Sequence, residues 1–178
     1  MRIRRMILPW LGVVLWFGIA PMLAQEDETP EQKQYREDYD VYQKITAVKE
    51  PLKRADQLLQ FLQERPKSKL LVNVQSDYIL FVQDLSKQAK WDAVVAQAER
   101  FIKLRPRVGE AYYLLGSALK ELKKNTEAMD ALAKCYVLRC PVSEKARQYL
   151  EYIYKGMNRG STTGLDAIIQ KARSEFGG

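Results

Sequence analysis

Two cysteines are the first side chains of this sequence to consider for chemistry. Cys135 and Cys140 lie five residues apart. Inside one continuous helix that spacing is too wide and misdirected for a disulfide, which needs α-carbons roughly 4.4–6.8 Å apart. A disulfide becomes feasible if the helix ends before Cys140, and Pro141 favours such an end. Otherwise Cys135 is a small buried residue and Cys140 adjoins a helix cap.

Other chemical candidates are weak. The sequence has no histidine, and therefore no Ser-His or Cys-His nucleophile pair. The Gly-rich stretch 156–164 lacks the Gly-Lys-Ser/Thr of a phosphate loop and follows a helix, so we interpret it as a turn. We predict a non-enzyme with no catalytic residue, cofactor or metal site. A small enzyme using Lys, Tyr or carboxylates near that loop is the alternative.

The first 24 residues have the layout of a secretory signal peptide. Arg2, Arg4 and Arg5 precede an uncharged stretch, 6–24, which ends at a polar segment. An uncleaved membrane anchor is the alternative, because the stretch approaches the roughly 20 residues needed to cross a bilayer. Both interpretations place the chain after Gln25 outside the cytosol, as a periplasmic protein or one anchored in the inner membrane and facing the periplasm.

The rest of the chain has an acidic first segment followed by a basic body. The full sequence carries a net charge of +7, and removing three leader arginines leaves +4. Residues 25–40 form an acidic segment with seven acids and two bases, so residues 41–178 carry +9. We interpret these charges as solvated helix faces and expect no nucleic-acid partner, since no motif of that kind is present.

The spacing of apolar residues predicts an all-α fold. Apolar side chains recur at steps of three and four almost throughout, and sustained strand alternation is absent. Thr29-Pro30-Glu31-Gln32 reads as a helix N-terminus with a capping box. With proline breakers, the pattern predicts eight helices in four hairpins, near residues 30–48, 51–64, 69–88, 90–104, 109–123, 126–139, 143–156 and 164–176.

These hairpins look repeated. One pattern occurs three times: an acidic residue, an alanine and an apolar residue, then three other residues and a second alanine. The three copies begin at Asp92, Glu127 and Asp166. The first two copies are 35 residues apart, a period typical of a helical solenoid. The first alanines of these two copies, Ala93 and Ala128, should let paired helices approach closely, so that larger side chains there would overpack the interface.

The sequence resembles the tetratricopeptide repeat family. The residues that match its signature best are Tyr112, Leu115, Gly116, Leu119, Ala128 and, slightly displaced, Pro141. The preceding hairpin keeps Tyr78, Phe81, Leu85, Ala93 and Pro106 but has Val82 at the Gly116 position. The best repeats therefore cover residues 75–141 of a helical domain at 41–178. The resemblance implies an α-solenoid of about four antiparallel hairpins, with Gly116 at a close contact between helices.

The resemblance also implies a scaffold that binds a protein or peptide partner in a concave groove lined by first helices. The corresponding positions are Ile79, Gln83, Tyr113, Ser117, Lys120, Arg147, Glu151 and Tyr154. Tyr149 and Tyr152, three residues apart, are expected to meet the neighbouring hairpin. We predict a non-catalytic periplasmic adaptor, with a membrane-anchored structural subunit of an envelope complex as the alternative.

Overall fold

The computed structural model describes residues 28–176, so the predicted leader, 1–24, lies outside the described residues. From residue 28 to residue 176 the chain contains eight α-helices and no strand. The helices are α1 (Pro30–Thr46), α2 (Pro51–Glu64), α3 (Leu71–Lys87), α4 (Trp91–Leu104), α5 (Gly109–Glu121), α6 (Asn125–Val137), α7 (Ser143–Met157) and α8 (Leu165–Glu175). The all-α prediction is confirmed, and every observed boundary lies within two residues of the predicted one.

The N-terminus of α1 has the predicted capping box. The Gln32 amide donates to the Thr29 hydroxyl at 3.2 Å, and the Thr29 amide donates to Gln32 Oε1 at 2.8 Å. Pro30 starts the helix, where its missing amide proton costs nothing. The acidic residues from Glu31 onward therefore belong to a helix, and the predicted segment boundary at residue 40 falls inside α1.

Two groups of buried apolar side chains form the interior. The first joins α1 to α5 and contains Phe61, Tyr78 and Phe101. The second joins α5 to α8 and contains Leu132 and Leu150. Helix α5 contributes side chains to both groups, so it connects the two halves of the described chain.

Helices that follow each other in the sequence pack together from α1 to α7. Helices two positions apart also touch: α3 contacts α5 and α5 contacts α7, while α2 contacts α4. The last helix, α8, lies mainly against α6. First helices of the predicted hairpins therefore adjoin at α3–α5 and α5–α7, and second helices adjoin at α2–α4 and α6–α8.

Two turns between paired helices have the same backbone. Ala89 follows α3 and Lys123 follows α5, with left-handed φ angles of 54° and 63°. In both turns the next amide donates to the carbonyl four residues before the left-handed residue, at 3.1 and 2.9 Å. This bond satisfies a carbonyl that the end of a helix leaves free.

The turns after α2 and α4 also match. Residues 61–66 and 101–106 share the pattern Phe, three variable residues, Arg, Pro. The two copies are 40 residues apart. In both copies the arginine amide donates to the phenylalanine carbonyl, at 2.9 and 2.8 Å. The 35-residue alanine pattern did not reveal this second repeat, although its signal is present in the sequence.

Gly116 lies at the close contact between α5 and α6. A Cβ atom at this glycine would lie 2.7 Å from Leu132 Cγ and 3.1 Å from the Ala128 carbonyl oxygen. The expected small-residue contact is confirmed here, and Ala128 is fully buried. Ala93 differs from the expectation, because it is only half-buried and lines a surface groove.

Candidate partner-binding surface

On α3 the two predicted groove residues have different environments. Ile79 is buried among the core side chains and is only 9% exposed, so it offers a partner little surface. Sequence spacing alone does not show this burial, because α3 packs against three helices, α2, α4 and α5. Gln83, one turn further on, is half-buried.

On α5 the predicted residues share one half-exposed face. Tyr113, Ser117 and Lys120 follow each other at helical steps of four and three residues. The Lys120 ammonium lies 3.2 Å from Glu121 Oε1. This hydrogen bond raises the pKa of Lys120, so the side chain is a cation at neutral pH.

On α7 the side chains nearest to that face are two tyrosines outside the predicted set. The Tyr149 hydroxyl lies 3.5 Å from Glu121 Oε1, and its ring stacks with Tyr152 at 6.4 Å between centroids. Burial raises the pKa of Tyr149, which keeps the hydroxyl protonated and able to donate. Tyr152 is 66% exposed. Their three-residue spacing was noticed in the sequence, but their place beside Lys120 required the structure.

The predicted α7 residues have other contacts. The Arg147 guanidinium lies over the Tyr136 ring of α6, 5.5 Å from its centroid. Glu151 pairs with Lys155 at 2.5 Å, and this hydrogen bond lowers the pKa of the Glu151 carboxyl. The predicted positions Glu151 and Tyr154 therefore lie two residues after Tyr149 and Tyr152, the tyrosines that meet α5.

Tyr154 closes the loop before α8. Its hydroxyl donates to the Thr163 carbonyl and lies 2.6 Å from the position of an added Cβ at Gly164. Gly164 has a φ of 96° and forms the cap of α8 without a side-chain hydrogen bond. Tyr154 is consequently half-buried and makes a loop contact through its hydroxyl.

The side chains that come together define what we call the α5–α7 surface: Tyr113, Lys120, Glu121, Tyr149 and Tyr152. A groove of about 540 Å³ continues from it toward the end of α7 and is lined by Lys120, Asn125, Tyr152, Ile153, Lys155, Gly156 and Met157. Met157 is 49% exposed. Aromatic rings and a thioether beside ammonium groups suit contact with a peptide or protein surface.

A disulfide between the two cysteines was expected to be feasible only if the helix ended before Cys140, and the structure meets that condition. Helix α6 ends at Val137, and Arg139 has a left-handed φ of 53°, which turns the chain back. Cys135 Sγ and Cys140 Sγ are 3.5 Å apart, and both residues are free thiols.

Within residues 28–176, no group of three or more cysteine or acidic side chains is arranged to hold a metal ion. None of the helices in that range is long and apolar enough to cross a membrane.

No protein-family model matches the chain, and no curated protein or solved structure matches it either. The resemblance to tetratricopeptide repeats therefore rests on the sequence pattern alone.

Proposed function

We propose that the protein is a non-catalytic adaptor of the tetratricopeptide type, whose helix pairs stack as a solenoid and bind a protein or peptide partner. The pairwise turns at Ala89 and Lys123 support the stacking, because they repeat one geometry at an interval of 34 residues. The contacts of α3 with α5 and of α5 with α7 support it as well. Such stacking presents the first helices side by side on one face.

The binding site in this proposal is the α5–α7 surface. The observation that carries it is the stacked pair Tyr149 and Tyr152 beside Lys120, at the mouth of the groove of about 540 Å³. Tyrosine rings are enriched at interfaces because they bury much apolar area and keep a hydroxyl for hydrogen bonding. Lys120 adds a cation that is only partly neutralised by Glu121 in water.

We also propose that the adaptor is exported and works in the periplasm. The support is the basic and then apolar composition of residues 1–24, which lie outside the described residues. The intact mass of the native protein tests this part. A mature chain beginning at Gln25 supports export with cleavage, whereas a retained leader favours the anchored structural subunit.

Site-specific photo-crosslinking tests the surface. A photoreactive phenylalanine analogue at position 152 should give a defined adduct in native envelope fractions. The same analogue at position 35 is the control, because Tyr35 stacks on Tyr39 at 6.2 Å on α1 and is also exposed. Equal adducts at both positions, or none at position 152, would contradict the proposed surface.

The partner identified in that adduct is then bound to purified variants. Tyr152→Ser and Tyr149→Ser should weaken binding by roughly tenfold each, since aromatic anchors dominate interface energies. Tyr35→Ser should leave the affinity unchanged. If the three variants bind alike, the partner contacts a different face of the protein.

A further inference from the structure

The thiol pair Cys135 and Cys140 lies where the chain changes direction between α6 and α7. Cys135 is in the last turns of α6 and has no exposed surface, whereas Cys140 is half-buried in the connection. Their sulfur atoms are 3.5 Å apart, so forming a disulfide of about 2.05 Å requires the atoms to approach by roughly 1.5 Å.

Neighbouring groups hold both thiols in this place. The Ser143 hydroxyl lies 3.3 Å from the Cys135 carbonyl oxygen and 3.7 Å from Cys140 Sγ. Gly109, the first residue of α5, leaves room for Cys140: an added Cβ would be 2.7 Å from its sulfur. Contacts from α5, α6 and α7 thus keep the two sulfurs adjacent in the folded chain.

Only one of the thiols is accessible from outside. A cavity of about 840 Å³ is lined by Cys140 together with Arg139, Arg173 and Glu144, and Cys135 does not line it. A small disulfide molecule can reach Cys140 from this cavity. The two arginines and one glutamate give the cavity lining a net positive charge, which attracts an anionic reagent.

We propose that Cys135 and Cys140 are a modification site at which an external disulfide oxidises the pair to an intramolecular disulfide. The Cys140 thiolate attacks one sulfur of the reagent, whose S–S bond breaks and whose first half leaves as a thiolate. Cys135 Sγ then attacks Cys140 Sγ and loses its proton as the bond forms, because burial raises the pKa of this thiol. The mixed disulfide between Cys140 and the reagent breaks, and the second half leaves as a thiolate. The two protons lost by the cysteines end on the two released thiols, and the reagent takes up both electrons.

The new bond stabilises a strained connection. Arg139 holds a left-handed backbone angle, φ 53°, which an L-residue with a side chain adopts at a cost. A covalent link from the end of α6 to Cys140 holds that turn closed and fixes the residue before Pro141, where the chain turns toward α7. The inference concerns this chain's thiols and does not depend on the partner proposed above.

Oxidised glutathione is the probe for the test, applied to the full chain purified under reducing conditions. Trypsin cleaves after Lys134, Arg139 and Lys145, which separates the cysteines into peptides 135–139 and 140–145. After oxidation and alkylation of free thiols, we expect these two peptides to remain joined until a reductant is added. Intact protein should have lost two hydrogen atoms and carry no glutathione.

Two variants test the order of the steps. Cys135→Ala should retain one glutathione on Cys140, because the second thiol is missing. Cys140→Ala should stay unmodified while folded, since the remaining thiol is buried. A wild-type chain that stops at a stable glutathione adduct, or whose two peptides separate without reductant, would overturn the proposal. Rapid modification of Cys135 in folded Cys140→Ala would overturn the assigned order.

Discussion

The guanidinium of Arg65, at the end of α2, donates a hydrogen bond of 2.5 Å to the carboxylate of Asp38 on α1. The Asp38 side chain is 2% exposed, so a buried charge joins the acidic first helix to the rest of the protein. Burial by itself would raise the pKa of Asp38, but hydrogen bonds from Ser68, Arg65 and Gln34 outweigh burial and lower it. The ionised form is therefore favoured in the folded chain.

Asp38→Asn should destabilise the protein by about 2 kcal/mol at pH 7, because a charge-assisted hydrogen bond is lost at a buried site. Urea unfolding followed by circular dichroism measures the change. Asp40→Asn, an exposed acid on the same helix, is the control and should change stability by less than about 0.5 kcal/mol. Equal effects of the two substitutions would refute this role of Asp38.

The stability difference between wild type and Asp38→Asn should depend on pH. A carboxyl whose pKa is lower in the folded chain stabilises it above the pKa of the unfolded chain. That contribution is lost as the pH falls below about 4 toward the lowered folded value. The two unfolding midpoints should therefore converge at acid pH, and a constant difference from pH 7 to pH 2 would exclude the ion pair as its cause.

Arg65 and Arg105 occupy equivalent turns but should respond differently to substitution. Arg65→Met leaves the Asp38 charge buried without its partner and should cost about 3 kcal/mol. Among the described residues, Nε and Nη2 of Arg105 are buried without a hydrogen-bond partner. Arg105→Met removes that unfavourable burial, so its effect should stay within about 1 kcal/mol of neutral. Denaturant midpoints of the two variants compare them directly.

Gly116→Ala should destabilise the protein by about 1–2 kcal/mol, because the added Cβ would be 2.7 Å from Leu132 Cγ. Gly156→Ala is the same substitution in α7, where an added Cβ has no atom within 4 Å. It should stabilise the protein by up to about 1 kcal/mol through helix propensity. Thermal unfolding of both variants gives the comparison, and a stabilised Gly116→Ala would disprove the tight α5–α6 contact.

Ala89→Gly should stabilise the protein by about 0.5–1 kcal/mol, because Ala89 has a left-handed φ of 54° that glycine adopts without strain. Ala96→Gly makes the same change at an exposed site within α4 and should cost about 1 kcal/mol. Opposite signs in denaturant unfolding are the expected result. If both variants lose stability, the turn after α3 does not strain its alanine.

Much of the fold followed from local chemistry. Pro30 and Thr29 set the start of α1, and Pro51 begins α2, since a proline without an amide proton fits only the first turn of a helix. Gly116 was expected at a helix contact from the resemblance to tetratricopeptide repeats, and the structure places an added Cβ there 2.7 Å from Leu132 Cγ. The turns at Ala89 and Lys123 gave no comparable signal, since neither residue favours a left-handed backbone.

The sequence by itself determined the helices, because their starts, ends and apolar spacing depend on residues within a few positions of one another. Only the tertiary structure decided which faces of those helices meet. It buried Ile79, directed Tyr154 to the loop before α8, and placed Tyr149 beside Glu121. The rotation of one helix against another is set by packing among side chains distant in the chain, and a shift of two residues exchanges a contact face for an exposed one.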